Sequence, residues 1–166
     1  MLLASLAGCS TKVVRVDMDA ARLASPSAQH HYLVQCDYRL GNVVDERANG
    51  AEVGGLSGNA FQFADAAGVV RQQLLYAGLL DDPSLHGPHV DVHIVQLYLT
   101  QNLESKVPVA VYRVTVGNEP AFVLRSQKSS LNWNGTQNEA YAAYRRVLDD
   151  VNLQLVAQLN ERCHSG

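Results

Sequence analysis

A histidine run, three cysteines and a glycine-rich stretch are the residues whose types and spacing can do chemistry in this chain. The run "HGPHVDVH" holds His86, His89 and His93 and invites a metal reading. On a helix, His89 and His93 would share a side. Pro88 and the alternation of Val90 and Val92 predict a strand instead. Residues four apart on a strand stand about 13 Å from each other, too far to share one ion. The three are therefore read as surface histidines, as are His30, His31 and His164. The stretch "VGGLSG" lacks the Gly-Lys-Ser/Thr ending that a phosphate loop needs. Ser57 lies in Gly-Leu-Ser-Gly, which is not a nucleophile elbow. Asp81 and Asp82 end a helix and Asp45 and Glu46 end a strand, so neither pair is placed for acid-base work. Trp133 in "NWNG" reads as a lid over the core or as a binding hot spot. These residues predict no catalytic centre, no metal site and no cofactor, and the chain is expected not to be an enzyme.

The cysteines are Cys9, Cys36 and Cys163. Cys36 sits in a strand-like run and Cys163 at the end of a long helical pattern. In an oxidising compartment the two can pair and tie the last helix to the sheet. The other reading is two unrelated thiols. Pairing needs Cα atoms within about 7 Å, a distance that sequence does not supply.

The elements that must position these residues follow from composition and pattern. The 166 residues suit one domain with a real core. Apolar residues make up 47% and charged residues 17%, which excludes a disordered chain. The net charge of -3 argues against a nucleic-acid surface. No run reaches the ~18 apolar residues of a spanning helix, so a membrane would be reached through an anchor.

Val13, Val14 and Val16 predict a short strand, and "AARLASPSAQHH", broken by Pro26, reads as tether. "HYLVQCDYRLGNVVDERANG" predicts two short strands parted at Gly41-Asn42. Gly50, Gly54, Gly55 and Gly58 predict a loop. Phe63, Ala67, Val70, Leu74 and Ala77 form a helical stripe, capped by Asp65 and ended by Gly78 and Pro83. In the next strand Val90, Val92 and Ile94 face one way, and Val95, Leu97 and Leu99 continue on the opposite parity. A β-bulge produces such a change, or both faces are covered there. Two strands follow, joined through Gly117-Asn118-Glu119-Pro120. The last helix shows Tyr141, Tyr144, Leu148, Val151, Leu155 and Leu159 on one face, with Thr136 and Glu139 as a capping box. Arg145, Arg146, Asp149 and Asp150 read as its solvated face. The order β-β-α-β-β-β-α predicts an α+β two-layer sandwich, with both amphipathic helices on one face of an antiparallel sheet. The other face meets solvent or a partner.

The opening residues add a location. Leu6-Ala7-Gly8-Cys9 resembles the lipobox of bacterial lipoproteins at all four positions. The resemblance implies that the Cys9 thiol receives a diacylglyceryl group, that cleavage falls just before it, and that acyl chains hold the protein to a membrane. The apolar stretch ahead of it is short and no Lys or Arg precedes it, which suggests a true start upstream of Met1. Ser10, in place of an Asp, implies the outer membrane. The expected organisation is residues 1–8 as signal-peptide remnant, 9–30 as lipid-attachment cysteine and tether, 31–162 as the domain, and 163–166 as a tail.

Further segments look like the YajG-type family of outer-membrane lipoproteins. They are "VVDERANGAEVGG", "AAGVVRQQLLYAGLL", "VDVHIVQLYL", "VYRVTVGNEPAFVLRS" and "NEAYAAYRRVLDDVNLQLVAQL". Val44, Asp45 and Arg47, followed by Gly54, are the most specific internal piece. The resemblance implies a periplasm-facing, lipid-anchored, non-catalytic accessory that binds an envelope protein. A likeness of layout to lipid-transport auxiliary lipoproteins implies an alternative, the binding of lipid or another small apolar ligand. An exposed sheet face or edge strand is the expected docking surface for a protein partner, and the two-parity strand is the expected lining of a lipid pocket.

Overall fold

The computed structural model describes residues 13–24, 32–56, 58–101, 106–127 and 136–164. Its elements run β1 (Val14–Asp17), α1 (Ala20–Ala24), β2 (Arg39–Asp45), β3 (Glu52–Leu56), β4 (Asn59–Gln62), α2 (Ala66–Tyr76), β5 (His89–Gln101), β6 (Lys106–Val116), β7 (Phe122–Arg125) and α3 (Gln137–His164). The fold is an α+β sandwich, as the pattern predicts. One sheet has the order β2-β5-β6-β7 and a smaller one the order β1-β4-β3. Helix α3 packs on β6 and β7, and α2 packs on β2.

The pairing differs from an all-antiparallel sheet. β2 runs parallel to β5, and β1 runs parallel to β4. A parallel pair needs a long crossover. Residues 46–88 supply one, and they carry the β3–β4 hairpin and α2 within it.

The parity change in β5 is a bulge. Its register against β6 shifts between Ile94 and Gln96, so Val90, Val92, Ile94, Leu97 and Leu99 all reach one core. Helix α3 buries each of its six stripe residues. Its capping box closes in both directions. The Thr136 amide donates to the Glu139 carboxylate at 3.0 Å, and the Glu139 amide donates to Thr136 Oγ1 at 3.3 Å. At α2, Asp65 accepts from the Gly68 amide at 3.0 Å, and Gly78 turns the chain with φ +83°.

Four further expectations are corrected. First, part of the tether is structured. β1 pairs with β4, and α1 buries Leu23 completely. Its docking is polar as well as apolar: Gln73 Nε2 donates to Leu23 O at 2.7 Å, and the Arg22 guanidinium lies 3.8 Å from the centre of the Tyr141 ring. Second, the glycine-rich loop is the β3–β4 hairpin. Glycine is needed there for close approach, since a Cβ on Gly54, at φ +97°, would stand 2.9 Å from Leu99 Cβ. Third, Asp149 is buried, at 4% exposure. A helix lying free on a sheet would expose that position. Here Tyr32 and Tyr112 both lie close enough to feel the Asp149 charge. Gly41-Asn42 does not split β2 in two. The strand carries a register shift between Leu40 and Val43, where the Asn42 amide donates to Asp91 Oδ1 at 2.7 Å.

Candidate functional site

The chain leaves β2 through Asp45, Glu46 and Arg47, and these three turn to alternate sides. Arg47 is buried, with its side chain 3% exposed. Its Nε donates to Asp45 Oδ1 at 2.7 Å and its Nη2 to Asp45 Oδ2 at 2.6 Å. The same Nη2 donates to the Phe63 carbonyl at 2.7 Å, which ties the end of β2 to the end of β4. Burial pushes the Asp45 carboxyl up, but the Arg47 guanidinium and amide outweigh it and hold the group below its ordinary value. Glu46 faces the other way. Its carboxylate takes His93 Nδ1 at 2.7 Å and Arg113 Nη2 at 2.5 Å, across a directly paired β5–β6 position.

One atom of this cluster is left over. Arg47 Nη1 is buried and has no hydrogen-bond partner among the described residues. Arg47 also lines a cleft of about 300 Å³ that begins at the turn through Ala48 and Asn49. The cleft crosses the bulge of β5 and ends at Arg125 on β7. Gln96, Val111 and Arg125 pair across three strands and form its floor as one row. Two guanidinium groups and no acidic side chain line it. Asp45 already neutralises Arg47, so the net charge of the cleft is that of Arg125. Such a lining can hold one negatively charged group. It has no nucleophile and base pair for covalent chemistry.

The structure places the other candidates as follows. Cys36 and Cys163 form a disulfide, with Cα atoms 6.3 Å apart. It straps residues 32–37 to the last turns of α3. Asn160 reinforces the strap, accepting from the Gln35 amide at 2.9 Å and donating to Leu33 O at 3.0 Å. His93 is engaged by Glu46, and His86 and His89 are exposed away from it. Among the described residues no group of three His, Cys, Asp or Glu is placed to hold a metal. Leu6, Ala7, Gly8, Cys9, His30, His31, Ser57 and Trp133 lie outside the described residues. Sequence reasoning weighed Asp45 with Glu46 as a carboxylate pair and set it aside, singled out Arg47 only through resemblance, and missed Gln96 and Arg125. A Gln on the bulge and an Arg at a strand end carry no spacing signal that would join them.

Under Tyr32 lies a second polar cluster. Asn152 Nδ2 donates to Gln73 Oε1 at 2.7 Å, joining α3 to α2 in the core. Tyr112 is fully buried, and burial, with Tyr32 and Asp149 nearby, pushes its hydroxyl well above the ordinary value.

These features define an α+β sandwich with a small basic cleft at a sheet bulge and a disulfide strap. No family model matches the chain, and no curated protein matches it in sequence. Among solved structures it is similar to protein XCC0632 from Xanthomonas campestris, of the family model DUF330. The TM-score is 0.54 at 10% identity, over 92% of this chain and 96% of that one. At that identity the likeness shows a shared fold.

Proposed function

We propose that this protein is a non-catalytic lipoprotein of the bacterial outer membrane, anchored through Cys9, facing the periplasm and binding a partner protein of an envelope system. By this reading the chain resembles the YajG-type family. The observation that carries it is the Cys36–Cys163 disulfide. Such bonds persist in oxidising compartments, the periplasm among them. Leu6-Ala7-Gly8-Cys9 would send the chain to that compartment, so two independent features of the cysteines agree. The lipid-binding alternative took its motive from the two parities of Val90–Leu99. Val90, Val92, Ile94, Leu97 and Leu99 share one core through the bulge, and Val95, outside that core, lines the cleft, which weakens the case for a lipid pocket along the strand.

Growth of a Gram-negative host with an alkyne-tagged palmitate tests the anchor. The tag is expected on the wild-type chain, in the outer-membrane fraction, and absent from Cys9→Ser. An untagged wild-type chain overturns the anchor. Crosslinking in intact cells is expected to recover one defined envelope protein, and recovery of none overturns the accessory role.

A further inference from the structure

We propose that the cleft between Arg47 and Arg125 is a binding site for a peptide carboxylate, the free C-terminus of a partner protein with small apolar last residues. Four observations carry this. Arg47 is more than nine-tenths buried, lines the cleft, and keeps Nη1 without a partner among the described residues. Nη1 is too deeply buried for a ligand to touch, so the donors that meet an anion are those of the exposed Arg125, with the incompletely satisfied Arg47 guanidinium behind them. The charge is matched to a monoanion. With Asp45 held ionised against Arg47, one positive charge remains, on Arg125, and no carboxylate lines the cleft to oppose a ligand. A carboxylate carries that single charge, whereas a phosphate monoester carries ≈ −1.5 to −2 at pH 7. The planar guanidinium fork also fits a planar carboxylate.

The remaining lining suits a peptide rather than an alkyl chain. Asn49, Gln96 and Tyr98 bring amide and hydroxyl groups that can meet peptide N–H and C=O. Val95 and Val111 form the apolar wall between them. The volume is at the low end of ligand pockets, which limits the occupant to two or three small residues. The site is set on strands. Gln96, Val111 and Arg125 keep their spacing through strand pairing, and the Arg125 carbonyl accepts from Gln154 Nε2 at 3.0 Å, which fixes that end to α3.

The inference takes its occupant from the protein-binding reading above, and it does not depend on the lipid anchor. The test is calorimetry on the full chain with acetyl-Val-Ala-Val bearing a free C-terminus, its C-terminal amide, octanoate and inorganic phosphate. The free acid is expected to bind, and the amide to bind at least tenfold more weakly. Arg125→Gln, an exposed substitution that leaves the Arg47–Asp45 pair intact, is expected to weaken the free acid about tenfold. Arg47→Lys keeps the charge but breaks the two-point contact with Asp45 that shapes this end of the cleft, and it is expected to weaken binding with the fold checked by circular dichroism. Equal binding of acid and amide, tighter binding of octanoate or phosphate, or no effect of Arg125→Gln overturns the proposal. Absence of binding by every probe overturns it too. The protein-binding reading survives that result if crosslinking still recovers a partner, and it falls separately if crosslinking recovers none.

Discussion

Reducing the Cys36–Cys163 bond should destabilise the protein without dismantling its fold. The bond joins residues 127 apart in sequence. Closing a loop of that length removes chain entropy from the unfolded state worth about 5 kcal/mol in the loop-closure model, and measured native disulfides give roughly 2–5 kcal/mol. The folded state needs the bond less. Asn160 holds Leu33 and Gln35 from α3 by two hydrogen bonds whatever the state of the sulfurs. Both cysteines are only partly buried against the core, so a Ser at position 36 costs little by itself. The assay is urea denaturation of the oxidised chain, the same chain in dithiothreitol, and Cys36→Ser. The last two are expected to agree with each other and to lie about 2–5 kcal/mol below the first, with unchanged far-ultraviolet circular dichroism before the transition. Their m-values should be larger, because the uncrosslinked chain exposes more surface on unfolding. Identical curves with and without reductant would refute the reasoning. So would a reduced chain that has lost its helical signal, since that would make the bond a condition of folding.

Arg47→Ala strands the Asp45 carboxylate and the Phe63 carbonyl, and urea denaturation should show a loss of about 2–4 kcal/mol, discounted because Asp45 keeps some solvent. The held-down Asp45 contributes stability that is present above the ordinary carboxylate value and lost as pH falls through the lower folded value, so the variant should also show a shallower acid-side decline. Gly54→Ala drives a methyl against Leu99 at positive φ, and thermal unfolding should report a loss of about 2–4 kcal/mol. Tyr32 is pushed up to about 12 by burial, with Asp149 adding and Asn152 opposing. Its contribution is complete below the unfolded value near 10 and falls away as pH rises through about 12. Tyr32→Phe should therefore flatten part of the stability decline between those values, as followed by fluorescence.

Legibility differed by element for physical reasons. Helix α3 was readable because six apolar residues at helical spacing are all buried in one core, and its cap is a local matter of Thr136 and Glu139. The β5 bulge was readable because side-chain parity along a strand is strict, and a slip in it has few causes. The β3–β4 hairpin was not readable. Its glycines signal turns locally, and only the distant Leu99 explains why a strand there must lack a side chain. α1 was hidden in the same way. Its five residues have no periodicity of their own, and its docking rests on Gln73, Tyr141 and Arg145 from two other helices. The Asp149 error has the same kind of cause, because its neighbour Tyr32 is distant in sequence and gives no signal at the helix.

The cleft shows why a site can stay partly hidden even when its key residue is noticed. In "VVDER", Asp45 and Arg47 point inward and Glu46 points outward, as strand alternation requires. The inward pair closes β2 against β4, and the outward residue clamps His93 and Arg113 on the neighbouring strands. Alternation therefore accounts for the motif as architecture. What it does not reveal is that a guanidinium has more donors than Asp45 and Phe63 can take. The surplus Nη1 is a property of the folded surroundings, visible once burial and partners are known together. The same holds for Arg125, whose place in one row with Gln96 and Val111 depends on the register of β5, β6 and β7, and that register is reset by the bulge. Without the bulge, Gln96 would exchange faces with its neighbours and the row would be broken. The feature read from sequence as a change of parity is thus what brings the polar floor of the cleft beneath Arg47.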